Sequence, residues 1–163
     1  MHQDIDIPKN KSEAYALLIE QIKAIVSTED DAIANLANVS AVLYEFMKDI
    51  NWVGFYLIKN NELVVGPFQG KVACSRIPLS KGVCGKAVTT KSTQNVADVT
   101  AFVGHIACDS ASRSELVVPL IKNGTVIGVL DIDSPLEARF DTLDETIAQT
   151  IVNHLIKKLP DCF

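Results

Sequence analysis

The twenty residues SELVVPLIKNGTVIGVLDID, from Ser114 to Asp133, constrain the fold more than any other stretch of this chain. Two runs rich in Val, Ile and Leu flank Asn123-Gly124. That dipeptide accepts the left-handed backbone of a tight turn, so the segment is expected to form two antiparallel strands. NWVGFYLIK and ELVVGPFQG, on either side of Asn60-Asn61, read as a second hairpin. Isolated hairpins are marginal in water and need further strands or helices over their apolar faces. Residues 10–26 supply one such helix, with Ala14, Leu17, Leu18, Gln21, Ile22 and Ile25 mostly on one face. A second helix is expected to start at a capping box of Thr28 and Asp31 and to run toward Asp49, with Ile33, Leu36, Ser40, Leu43 and Met47 as its stripe. The last helix has a capping-box signature in Thr142 and Glu145, and Leu143, Ile147, Ile151, Leu155 and Leu159 recur every four residues. Between the hairpins, Gly70 to Lys81 reads as loop with an extended piece near Ile77-Pro78, GVCGKAVTTK as a short helix, and Gln94 to Ala97 as a strand. This order is an α+β pattern, an antiparallel sheet with helices packed on one side. With no linker and no internal repeat, residues 1–163 are expected to form one domain whose core needs no disulfide or metal as a staple.

A net charge of −5 and the lack of a basic stripe with interleaved aromatics argue against a nucleic-acid partner. The start, MHQDIDIPKN, has neither the basic nor the apolar region of a signal peptide, and no run of about 18 apolar residues occurs. No membrane attachment is expected, and the cytoplasm is the expected location. In that reducing compartment Cys74, Cys84, Cys108 and Cys162 are expected as thiols, any disulfide among them being transient rather than structural.

Side chains able to do chemistry gather around the long hairpin. On its second strand Ile127, Val129, Asp131 and Asp133 alternate onto one face, the two carboxylates standing about 6.8 Å apart. The placement of Glu115 depends on the turn. A two-residue type I′ turn pairs Leu116 with Asp131 and sends Glu115 to the other face, whereas a three-residue loop with Gly124 in a G1 bulge sets Glu115 opposite Asp131. Both registers are open at this level. Acids gathered on one apolar face repel, so at least one keeps its proton near neutral pH and becomes a general acid; the plainer alternative is that the aspartates meet water at a strand end. The loop GHIACDSASR, Gly104 to Arg113, places Cys108 just upstream of Glu115. His105 or Arg113 would favour its thiolate, nearby acids would oppose it, and the plainer alternative for Cys108 is a small buried hydrophobe. The spacing C-x9-C-x23-C, without C-x2-C or H-x3-H, is a poor zinc signature, and no G-x-S-x-G, G-x-G-x-x-G or P-loop motif occurs.

Taken together, NWVGFYL, GPFQGKVAC, IPLSKGVCGKAV, HIACDSASRSELVVPL and GVLDIDSP, in this order over nearly the whole chain, closely resemble the free methionine-(R)-sulfoxide reductases, which are single GAF domains. The resemblance implies a central antiparallel sheet of about six strands, helices on one side, and a pocket closed by loops on the other. By the same resemblance Cys108 is the nucleophile, Cys74 the resolving cysteine and Cys84 a third cysteine near the site. Glu115, Asp131 and Asp133 are the acids that hold the substrate, with Trp52 against its S-methyl end. Tyr56 shares the strand face of Trp52 and joins it as an aromatic wall. The implied reaction reduces free methionine (R)-sulfoxide. Thiolate attack on sulfur is coupled to protonation of the oxygen by the Glu115/Asp131 pair, and the resulting sulfenic acid condenses with Cys74, or less favourably with Cys84. No bound cofactor is expected, thioredoxin is the expected reductant, and a homodimer through the exposed faces of the first and last helices is an expectation of the same kind. Asp133 would pair with the ammonium of the free amino acid and so select against methionine within a polypeptide. The alternative is a non-catalytic GAF module that senses a small ligand or redox state.

Overall fold

The computed structural model describes residues 6–106 and 108–163. Asn123-Gly124 turns as its sequence demands, with φ of 50° and 79°, and Lys122 pairs with Thr125 across it. Asn60 and Asn61 adopt the same left-handed backbone, at 51° and 64°, and join the other hairpin through Lys59 and Glu62. These turns organise β1 (Trp52–Lys59) with β2 (Glu62–Gly70), and β5 (Ser114–Lys122) with β6 (Thr125–Ser134). The short β3 (Arg76–Pro78) and β4 (Gln94–Val96) complete an antiparallel sheet of six strands in the order β3-β2-β1-β6-β5-β4. The two hairpins therefore meet at β1 and β6. Each is central, which explains why both read as almost unbroken apolar runs.

Helices α1 (Lys11–Thr28), α2 (Ala32–Phe46) and α4 (Thr142–Leu155) cover one face of the sheet. Their buried side chains, among them Leu18, Ile22, Leu36, Leu43, Ile151 and Leu155, pack on Phe55, Leu57, Leu116, Leu120, Leu130 and Ile132. Burying each of these aliphatic side chains contributes roughly 1.5–3 kcal/mol. The short α3 (Gly82–Thr90) lies on the opposite face, where Val83, Cys84 and Ala87 cluster with Trp52, Tyr56, Val117 and Val129. No helix among the described residues is long and apolar enough to cross a membrane.

Three local expectations are corrected. Thr28 closes α1 by donating its hydroxyl to the carbonyls of Ala24 and Ile25, and Asp31 caps α2 by accepting from the Ala34 amide. The two residues thus serve different helix ends instead of one box. At α4 the capping box is Asp141 with Asp144, one position earlier than Thr142 with Glu145. A buried partner set decides this shift: the Asp144 carboxylate also accepts from Tyr15 (2.5 Å), Lys11 (2.7 Å) and Arg139 (2.9 Å), locking α4 to α1. Ile33 is 48% exposed, and the inner stripe of α2 runs through Leu36, Val39, Ser40, Leu43 and Phe46.

Candidate active site

The pocket lies on the sheet face opposite the three long helices. Its floor comes from β1, β5 and β6. Trp52 and Tyr56 project from β1, Glu115 from β5, and Asp131 and Asp133 from β6. The walls are Val83 and Cys84 of α3, the segment Val72-Ala73 after β2, and the loop that carries His105, Ile106, Cys108, Asp109 and Ser112. Together they bound about 520 Å³ of unfilled space, the open mouth included.

The register that gathers the acids is neither of the two open to sequence reasoning. The turn has two residues, but the ladder then slips: Ile121 pairs with Val126 while Leu120 pairs with Gly128, so Ile127 is an extra residue on β6. Beyond this bulge Glu115 stands directly opposite Asp133, and Val117 opposite Asp131. The same slip moves Ile127 off the face of Val129 and into the helix-side core, correcting the expected alternation. Gly128 permits it, because a Cβ there would sit 2.5 Å from the Tyr56 carbonyl oxygen. Across β1, Asp133 faces Trp52 and Asp131 faces Gly54, which places all three acids on the aromatic face.

Burial governs the protons of these acids. Glu115 and Asp131 are 6% and 5% exposed, and among the described residues no Lys or Arg lines the pocket. Loss of hydration, then the charges of Asp131 and Asp133, push Glu115 well above the usual carboxylate range. Burial, followed by the charges of Asp131 and Asp109, does the same to Asp133. Asp131 rises from 3.8 to about 7, again through burial, with hydrogen bonds from Cys84, Glu115 and the Ile132 backbone holding it lower than its neighbours. All three carboxyls are therefore pushed toward their protonated forms. His105 Nδ1 lies 3.9 Å from Glu115 Oε2. That is ion-pair range, but burial lowers the His105 pKa and raises that of Glu115, so it favours the neutral form of each. Arg113, the other cation considered beside Cys108, turns away to Glu137 and Asp98.

Cys74 and Cys108 are joined in a disulfide across 34 positions of sequence, with Cα atoms 5.3 Å apart. This bond ties the segment after β2 to the loop before β5. Several contacts aim that loop: Asn51 donates to Asp109 (3.1 Å) and Ser112 (3.1 Å), the Gly82 amide to the Gly104 carbonyl, and the Arg113 amide to the Ser134 carbonyl. Cys84 is free and buried, its sulfur 3.9 Å from Glu115 Oε1. Burial and the charges of Asp131 and Glu115 push its thiol up, so it stays protonated. Cys162 is exposed, and it lines no part of the pocket. The Trp52 ring stacks on Tyr56 and Phe68 at centroid distances of 5.8 and 5.1 Å. Its indole nitrogen donates to Lys71, and the Tyr56 hydroxyl donates to the Cys74 carbonyl, bracing the segment that holds the disulfide.

All eight residues singled out from sequence are thus brought to one place. Asn51, Asp109, Ser112 and Ile106 were missed. Asn51, directly before β1 and at the same end of the sheet as the acids, carried the one usable signal; loop residues have no period to betray them.

A curled sheet with a loop-closed pocket on one face defines a class, and residues 23–159 match the GAF domain family. The free methionine-R-sulfoxide reductase of Escherichia coli K12 is 51% identical over 150 residues, 92% of this chain and 91% of that protein. The protein of the same description from Saccharomyces cerevisiae is 42% identical, over 91% of this chain and 87% of its own. The X-ray structure of free methionine-R-sulfoxide reductase from Neisseria meningitidis in complex with its substrate superposes with a TM-score of 0.92 at 46% identity, covering 97% of this chain and 95% of that one. The chain belongs to the free methionine-R-sulfoxide reductases of the GAF family.

Proposed function

We propose that this protein reduces free L-methionine (R)-S-oxide to methionine. One observation carries the reading: Cys108, bonded to Cys74, lies on the wall of a pocket whose floor holds the buried Glu115 and Asp131 and the half-buried Asp133. With the disulfide reduced, the Cys108 thiolate attacks the sulfoxide sulfur, and Glu115, whose raised pKa favours its protonated form, delivers a proton to the departing oxygen. The sulfoxide sulfur gains the electron pair, methionine leaves, and oxygen passes to Cys108 as a sulfenic acid. Cys74 then attacks that sulfur, water leaves, and the observed bond forms. Cys84 acts as a buried hydrogen-bond donor to the carboxylates and not as the resolving thiol, since its sulfur is free and its proton is held tightly. Asp131 and Asp133 take the substrate ammonium, and Trp52 and Tyr56 wall the S-methyl end. No bound cofactor takes part. A cytoplasmic dithiol protein, thioredoxin, resets the disulfide by exchange.

The test is a coupled assay in which folded protein, thioredoxin, thioredoxin reductase and reduced nicotinamide cofactor are mixed with each epimer of free methionine sulfoxide. Cofactor oxidation is expected with the R epimer and little with the S epimer or with a sulfoxide inside a peptide. No oxidation with any of them would leave the sensor alternative standing.

A further inference from the structure

The floor of the pocket combines ligand types that the sulfoxide chemistry does not require together. Cys84 Sγ, a Glu115 oxygen and an Asp131 oxygen lie within 4.8 Å of one another, and all three residues are buried. Two lone-pair donors beside them are without hydrogen-bond partners: Asp131 Oδ1, on a side chain almost entirely buried, and His105 Nδ1, 3.9 Å from Glu115 Oε2. Both residues line the pocket, the two atoms themselves being buried beneath its surface. An unpaired buried acceptor is unfavourable, and a cation on these atoms would satisfy it.

The geometry points to a zinc-type divalent cation site in this pocket, ligated by Cys84, Glu115, Asp131 and His105. Sulfur and imidazole ligands favour zinc over magnesium or calcium, which take oxygen. A tetrahedral site with bonds of about 2.0–2.3 Å places its ligand atoms roughly 3.3–3.8 Å apart. Cys84 Sγ, 3.9 Å from Glu115 Oε1, is already near that spacing, and the widest separation in the trio must close by about 1 Å through side-chain rotation; His105 Nδ1 lies 3.9 Å from the other carboxylate oxygen, Oε2, and completes the set when Glu115 binds through both oxygens or turns. Binding releases the Cys84 thiol proton and those held by the carboxyls. Because Glu115 and Asp131 are also the acids assigned to the sulfoxide, metal and substrate exclude each other. This regulatory consequence rests on the proposed reductase activity, whereas the metal site does not.

The oxidised protein supplies the cleanest test, because Cys74 and Cys108 are then tied to each other and offer no thiolate. In a Cys162→Ala background, which removes the exposed thiol, zinc is titrated against a chromogenic chelator and cobalt is used as a spectroscopic probe. One equivalent of zinc is expected to bind with proton release, and the cobalt form should show a thiolate-to-metal charge-transfer band. Cys84→Ser should abolish that band and weaken zinc at least ~10-fold, and Asp131→Asn should weaken it similarly, with circular dichroism and melting curves reporting that each variant is folded. Absence of stoichiometric binding, or unchanged affinity in a folded Cys84→Ser variant, overturns the site. In the reduced enzyme zinc should inhibit competitively with free methionine sulfoxide and be reversed by chelation. Binding by the oxidised protein with no turnover under any condition would remove the reductase reading and leave the metal site intact.

Discussion

Replacing Asp131 by asparagine should stabilise the fold at alkaline pH while leaving it nearly unchanged in acid. The Asp131 carboxyl is raised from 3.8 to about 7 by burial. A folded-state pKa above the unfolded value means that, between the two, the native chain holds a proton the unfolded chain has lost. Stability therefore falls as pH rises through that window and stays low above it. The shift is about three units, which corresponds to about 4 kcal/mol at pH 8 and above. Asparagine keeps the shape without the charge, and its amide can donate to the Glu115 carboxyl. Urea unfolding of the oxidised protein and the variant, from pH 4 to pH 9, measures the difference directly. It should be small near pH 4, grow by about 1.4 kcal/mol per pH unit, and level off above pH 7. The variant should meanwhile lose most of its turnover, as expected of a site that gives up stability to hold reactive groups together. A difference that does not vary with pH, or a variant less stable than the parent at pH 9, would refute the claim that burial of this charge opposes folding.

Other expectations are as direct. Cys108→Ser should abolish even a single turnover measured by rapid quench, whereas Cys74→Ser should release one equivalent of methionine and then stall with a sulfenic acid detectable by a dimedone-type probe. The rate with free sulfoxide should decline on the alkaline side as Glu115 loses its proton, at a pH above the usual carboxylate range because burial and the charges of Asp131 and Asp133 raise its pKa. Gly54→Ala brings a Cβ to 2.3 Å from the Phe68 Cβ, so it should displace the ring stacked on Trp52 and destabilise the protein by about 1–3 kcal/mol, seen as a lowered melting temperature. Asp141→Ala removes the acceptor for the Leu143 and Asp144 amides and should cost about 1 kcal/mol in urea unfolding, with no effect on the pocket.

How much of the molecule could be read from its residues differs by kind of feature. Both hairpin turns were legible because asparagine and glycine accept positive φ at little cost, a property of the residue itself. The inner stripe of α4 was legible in part: Ile151 and Leu155 are buried as the period requires, while Leu143 and Ile147 are half-buried beside the inner Ala148 and Val152 and Leu159 lies past the helix end; its cap was misplaced by one position because Asp144 is held by Tyr15 and Arg139, partners remote in the chain or outside any local signature. Ile33 followed the period of α2 and still faces solvent, since periodicity says which residues share a face but not where a neighbour ends.

The acid trio shows the same division within a single motif. That Asp131 and Asp133 share a strand face follows from the two-residue repeat of an extended chain, and sequence alone determined it, together with the order of elements and the presence of Cys108 just before Glu115. Which way Glu115 points was decided by an extra residue at Ile127, accepted where Gly128 packs against the Tyr56 carbonyl of another hairpin. The joining of Cys74 to Cys108, and the burial that keeps protons on the carboxyls, likewise exist only once distant segments have closed over the sheet. Turns and periods are energies of neighbouring residues, and a chain carries them wherever it goes. Register beyond a bulge, the approach of two sulfurs and the loss of water around a charge are energies of contacts made across the fold, so they come into being with the tertiary structure.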